Sequence, residues 1–177
     1  MERPSILFAL LVVYFILISP IQVQAQKTNN QNGNQVEALQ IQYEKINPSD
    51  GFDYGLKRFK EKLYLGLLFY SKDLKTDYYN KLVTRRLAEL KYIVENKDIA
   101  NFENATTRYF TTVGQFTSFL VKNVSAEQKS KVAENLFSHI IVLEDLRDVF
   151  EGQEKAEWRF MQDDINYTKI YINQLRE

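Results

Sequence analysis

The sequence predicts an all-α fold, an antiparallel bundle of four to five helices behind a signal peptide and a flexible leader. Along successive segments after Val36, apolar residues recur at steps of three and four, the spacing of one helix face. Short clusters of Pro, Gly, Asn, Asp and Ser separate those segments, so neighbouring helices must turn back on one another. No strand pattern competes with the helical one.

The first element is MERPSILFALLVVYFILISPIQVQAQ, in which Arg3 precedes an apolar run from Ile6 to Ile18, followed by Ser19, Pro20 and the small-residue ending Val23-Gln24-Ala25. That is the layout of a secretory signal peptide over residues 1–25, with cleavage after Ala25. As a helix the run rises about 20 Å, short of the roughly 30 Å of a bilayer core. A cleaved signal is therefore favoured. Glu2 offsets Arg3, so the basic region is weak and an uncleaved anchor stays open.

Residues 26–35, QKTNNQNGNQ, are too polar to bury anything and read as a flexible leader. The bundle domain is assigned to 36–177. Its first segment, VEALQIQYEKI, sets Val36, Leu39, Tyr43 and Ile46 at helical spacing over a length that suits either a short helix or a packed arm. Pro48-Ser49-Asp50-Gly51 then forces a turn.

A first long helix is expected from about Phe52 to Tyr70, with Phe52, Leu56, Phe59, Leu63, Leu67 and Tyr70 forming an inward stripe. Its last eight residues, LYLGLLFY, carry no charge, and the stripe widens there as burial among several helices requires. Gly66 costs such a helix about 1 kcal/mol relative to Ala, which predicts close approach of a neighbouring backbone. Eight apolar residues are too few to span a bilayer, and an interfacial helix keeps one strongly polar side.

The second helix, about Leu74 to Glu95, places Tyr79, Leu82, Val83, Leu87, Leu90 and Val94 inside and Lys81, Arg85, Glu89 and Glu95 outside. Asn96-Lys97-Asp98 closes it. The third, about Ile99 to Lys122, turns Phe102, Ala105, Tyr109, Val113, Phe116 and Leu120 inward, with a polar side rich in threonine, a moderate helix former that needs tertiary support. Ser125-Ala126-Glu127-Gln128 matches a capping box opening a fourth helix with Val132, Leu136, Ile140, Leu143, Leu146 and Phe150 inside, and Gly152 is its expected stop. The fifth carries Trp158, Met161, Ile165, Thr168, Ile172 and Leu175 inward.

Several of these residues resemble a bacterial family of exported all-helical domains of unknown function. The resemblance is carried by Pro48-Ser49, by Tyr54-Gly55-Leu56-Lys57-Arg58, by Leu65-Gly66-Leu67-Leu68-Phe69, and by Arg86-Leu87-Ala88-Glu89-Leu90. Val132-Ala133-Glu134, His139 and Val142-Leu143-Glu144 extend it, from roughly Asn47 to Leu175. The family reads as a Pro-Gly-Ser turn, a Tyr-Pro-Leu-Lys helix start and an Arg-Leu-Ala-Glu helix; here Asp50-Gly51 replaces the tighter turn and Tyr54-Gly55 stands for Tyr-Pro. It implies an extracytoplasmic helical domain, sometimes tethered by an N-terminal membrane segment, and no enzymatic activity.

Composition narrows the functional classes. The chain has no cysteine, hence neither disulfides nor a lipid-attachment thiol, and a mature domain of about 150 residues can bury a core without them. Its 23 basic and 23 acidic side chains cancel, which disfavours a nucleic-acid partner. His139, the only histidine, lies near the apolar face of the fourth helix and is expected as a hydrogen-bonded boundary residue, since zinc or general-base chemistry needs converging partners. The adjacent acids Glu144-Asp145 and Asp163-Asp164 point about 100° apart and read as solvated faces. Asn104, Asn123 and Asn166 open Asn-x-Ser/Thr triplets, and the bacterial resemblance makes these coincidental.

No catalytic, cofactor-binding or metal-ligating residue is expected. Candidate partner contacts are Tyr70, Tyr78 and Tyr79, which flank the first connection, and Arg85 beside Arg86 as a grip for an anionic group. The competing reading of the arginines is an Arg85 to Glu89 pair, with Arg86 bonding a neighbouring helix. These readings converge on an exported, non-catalytic module of the cell envelope that binds a protein or wall component, or has a structural role. A tethered sensor domain and a wall-polymer hydrolase are the alternatives. Self-association is open, and contact with a membrane is expected only through an uncleaved N-terminal segment.

Overall fold

A computed structural model describes residues 51–177; the expected signal peptide, the polar leader and the arm from Val36 to Ile46 lie outside the described residues. Within them the protein is all-α, with five helices and no strand. Helix α1 spans Gly51–Leu67 and tightens into a 3-10 turn over Leu68–Tyr70; α2 spans Lys72–Glu95, α3 Ile99–Asn123, α4 Ala126–Asp148 and α5 Ala156–Arg176.

Local chemistry sets the boundaries. Ser71 caps α2 by accepting a hydrogen bond from the Leu74 amide at 3.3 Å. At the other end Lys97 takes a φ of 56°, and the amides of Lys97 and Asp98 donate back to the carbonyls of Val94 and Ile93 at 3.1 and 3.0 Å. That is a Schellman closure with lysine in the place glycine usually fills. The capping box forms at Ser125 and Gln128 as expected. Gly152 adopts a φ of 96° inside the connection to α5, beyond the end of α4 rather than at it.

Packing is most extensive between α4 and α5 and between α2 and α3, and α3 also lies against α5. Most of the inward residues expected on α2 to α5 form one buried cluster, with Tyr79 and Trp158 packed at its edge and Leu82 and Thr168 buried outside it. Phe102 meets Phe150 edge-on at 5.2 Å, and Tyr79 stacks on Phe116 at 5.3 Å, so α3 contributes aromatic contacts at both ends. A polar seam joins α2 to α4: Gln128 donates to Asp73 at 2.8 Å and Asn135 to Asn80 at 2.7 Å. Both pairs are 55 residues apart, so these two helices run in the same direction.

Helix α1 departs from expectation. The stripe Leu56, Phe59, Leu67 and Tyr70 faces outward, Leu63 is half-buried, and among the described side chains of the uncharged eight only Leu68 is buried. The inward side is instead Lys57, Glu61, Leu65 and Leu68, with Tyr64 at its exposed edge. Among the described residues nothing lies within 4 Å of where a Gly66 Cβ would stand, so no neighbouring backbone there explains it. The close approach occurs at Gly114 on α3, where a Cβ would lie 2.7 Å from the Tyr171 hydroxyl. On α3, three threonines of the expected polar side, Thr106, Thr112 and Thr117, are buried.

Candidate functional site

The reason for the reversed helix is a charged cluster between α1 and α2. On α2, Leu82, Arg86, Glu89 and Ile93 follow at steps of four, three and four, so Arg86 and Glu89 are carried into a buried position by the same geometry that buries Leu82 and Ile93. Arg86 donates to both Glu89 oxygens, at 2.8 and 2.7 Å, and its other terminal nitrogen donates to Glu61 Oε2 on α1. Lys57 Nζ reaches Glu89 Oε1 at 3.2 Å and Arg85 Nη1 reaches Glu61 Oε1 at 3.4 Å.

Side-chain exposures are 1% for Arg86, 3% for Glu89 and 6% for Glu61. Buried charge on this scale is tolerated only when paired and hydrogen-bonded. Burial by itself raises the Glu89 carboxyl, yet the charge and hydrogen bonds of Arg86, joined by Lys57, hold it below the ordinary carboxylate range. Burial pushes Lys57 below the ordinary lysine range in spite of Glu89's attraction. The nearby Tyr78 phenol is pushed up to about 12, first by burial and then by the Glu61 charge.

The arginine arrangement therefore corrects the expected one. Arg86 forms the intrahelical pair with Glu89 and also bonds the neighbouring helix, whereas Arg85 turns to Glu61. Glu89 is inside, not outside. Of the three candidate tyrosines, Tyr70 is 71% exposed, Tyr78 is half-buried with its ring 4.8 Å from that of Tyr64, and Tyr79 is stacked between α3 rings Phe116 and Phe119 at 5.3 and 5.7 Å. Tyr79 thus belongs to the core edge. Phe59, 60% exposed, and Leu56 beside it were expected inside and instead face outward. The signal for them was present: Lys57 and Glu61 share a side with Leu68, which makes a second, polar stripe that could be docked.

A second polar group lies within the core. His139 on α4 has 0% exposure, and its Nδ1 stands 3.4 Å from the Tyr109 hydroxyl of α3. Thr168 on α5 stands beside the same hydroxyl, and its own hydroxyl donates to the Asp164 backbone carbonyl at 2.7 Å. Asp164 is buried while Asp163 is exposed, because Asp164 is three residues from Met161 and four from Thr168 on the inward stripe. His139 is therefore a core residue rather than a boundary one, and Asp164 does not belong to a solvated face.

His139 Nε2 and Asp164 Oδ2 have no hydrogen-bond partner among the described residues. Burial pushes His139 down to about 4, and burial, with the Asp163 charge, pushes Asp164 up to about 8. Both are then neutral near pH 7, which is how a low-dielectric interior accepts them. A general acid or base must reach its substrate within hydrogen-bond distance; these groups are buried on α4 and α5. Glu144 is half-exposed, 3.5 Å from Lys169, and Asp145 is exposed.

Among the described residues no group of three or more His, Cys, Asp or Glu side chains is placed to hold a metal ion, and no helix is long and apolar enough to cross a membrane. No protein-family model, no curated protein and no solved structure matches the chain.

Proposed function

We propose that the protein is an exported, non-catalytic helical module of the bacterial cell envelope that works by binding, and that the binding surface is the outer side of α1 with the adjoining Tyr70. One observation carries this reading. Helix α1 docks through Lys57, Glu61 and Leu68 and leaves Leu56, Phe59 and Leu67 exposed. Burying a Leu or Phe side chain fully contributes about 1.5 to 3 kcal/mol, so a partner that covers this side gains what the fold itself leaves unused.

Three further features support the reading. The leader has the layout of a signal peptide, the chain resembles exported bacterial helical domains, and the buried polar groups on α3, α4 and α5 are enclosed. The test is site-specific photo-crosslinking in cells, with the photoreactive side chain at Phe59 or Leu67 and, as a control, at Ser130 on α4. Adducts that form from α1 and not from Ser130 are the expected result. Equal labelling from all three positions, or none from any, overturns the binding role. Sequencing the mature N-terminus tests export separately: a start at Gln26 is expected, and an intact Met1 favours the tethered alternative.

A further inference from the structure

We propose that the partner of α1 is the surface of an anionic lipid bilayer, with Leu56, Phe59 and Leu67 entering the headgroup region and Lys60 and Lys62 on the flanks; this rests on the binding reading above and names its ligand. The geometry follows from Glu61. Residues two places away, Phe59 and Leu63, lie about 160° round the helix from it, and Lys60 and Lys62, one place away, lie about 100° to either side. Once Arg86 fixes Glu61 inward, the helix must present an apolar ridge with a lysine on each shoulder.

Between Gly55 and Leu67 the accessible charge on this helix is of one sign. Lys60 and Lys62 are exposed and Arg58 is half-exposed, whereas Glu61 is buried against Arg85 and Arg86. The protein's net charge is zero, so this basic strip is a local feature. A helix lying in the interface has this construction, because lysine stems run along apolar surface while their ammonium groups rise to the phosphates. A second copy of the chain fits less well: a two-fold contact through the same ridge sets lysines against lysines, and like charges across an interface are repulsive. A phosphate layer supplies the opposite sign.

The absence of cysteine makes a local test direct. In the full chain, an environment-sensitive fluorophore is attached through Phe59→Cys, and in a control chain through Ser130→Cys; each is mixed with vesicles of phosphatidylglycerol and phosphatidylethanolamine, or of phosphatidylcholine alone. The expected result is a blue shift at position 59 with anionic vesicles, much weaker with neutral ones, and none at position 130. Replacing Lys60→Gln and Lys62→Gln then weakens anionic-vesicle binding about fivefold per lysine.

Equal shifts with both vesicle types overturn the anionic assignment. No shift at position 59 with either overturns the membrane assignment, and protein adducts from the crosslinking experiment would then leave the binding reading standing with a protein as partner. A shift without lipid that grows with protein concentration assigns the ridge to a second copy and overturns the lipid. If the fluorophore is silent throughout and α1 also yields no crosslink, both readings fall.

Discussion

Arg86 and Glu61 meet across the α1/α2 boundary with side-chain exposures of 1% and 6%, and their pairing is the deepest polar contact holding α1 to the bundle. Removing one partner of such a pair strands the other's charge, which costs about 3 to 5 kcal/mol. Arg86→Met leaves two carboxylates facing each other. The expected outcome is a stability loss in that range, with amide protection in α1 lost well before that of α3 and α5. Protection of α1 that stays level with the core in the variant would contradict the role given to Arg86.

The outer ridge and the inner anchor of α1 separate energy from surface. Phe59→Ser should change stability by no more than about 0.5 kcal/mol, as for other exposed positions, although it removes a large aromatic ring. Leu68→Ala, at 3% exposure, should cost about 2 kcal/mol or more. Urea denaturation of the two variants compares them directly, and a larger loss at Phe59 would mean that the ridge is covered.

Asp164 and His139 make stability depend on pH in an unusual order. Between about pH 4 and 6.5 the folded protein keeps a proton on Asp164 that the unfolded chain lacks, and the unfolded chain keeps one on His139 that the folded protein lacks. The two effects cancel. From 6.5 to 8 only Asp164 differs; the folded state binds more protons, so stability falls as pH rises, by about 2 kcal/mol over the window. Asp164→Asn should abolish that fall. Chemical denaturation at pH 6 and 8.5 provides the check, and a parent protein equally stable at both would refute the assignment.

Two of the helical glycines, Gly66 and Gly114, should respond oppositely to alanine. Among the described residues nothing lies near Gly66, so Gly66→Ala should stabilise α1 by up to about 1 kcal/mol. At Gly114 the same gain is opposed by the Tyr171 hydroxyl, 2.7 Å from a new Cβ, with the Tyr171 ring stacked on Phe110 at 6.0 Å. Gly114→Ala should therefore stabilise only when combined with Tyr171→Phe. Thermal melts of the single and double variants measure the coupling, and additive effects would show that the tyrosine simply moves aside.

Helices α2 to α5 were legible because their apolar stripes are long and their caps, Ser125 above all, are chemically specific. The direction of α1 was not. Its apolar stripe is as regular as the others, and periodicity gives a face without saying whether that face meets protein or something else. The inward position of Arg86, Glu89 and Asp164 was hidden for a related reason: each keeps helical register with apolar neighbours, and expectation follows residue type more readily than register. Of the candidate contacts, only Tyr70 remained prominent at the surface, while Tyr79 was claimed by the rings of α3.

The parallel offset of α2 and α4 has a kinetic consequence. The largest contacts join consecutive helices, α2 with α3 and α4 with α5, and such local topology folds quickly because little loop entropy is lost before contacts form. Helix α1 is the exception: its anchor, Arg86, becomes a buried docking point only after α2 has packed. The expected last step to the native state is the desolvation of a guanidinium between two carboxylates. Added salt should slow that step, leaving the earlier hydrophobic collapse largely unchanged.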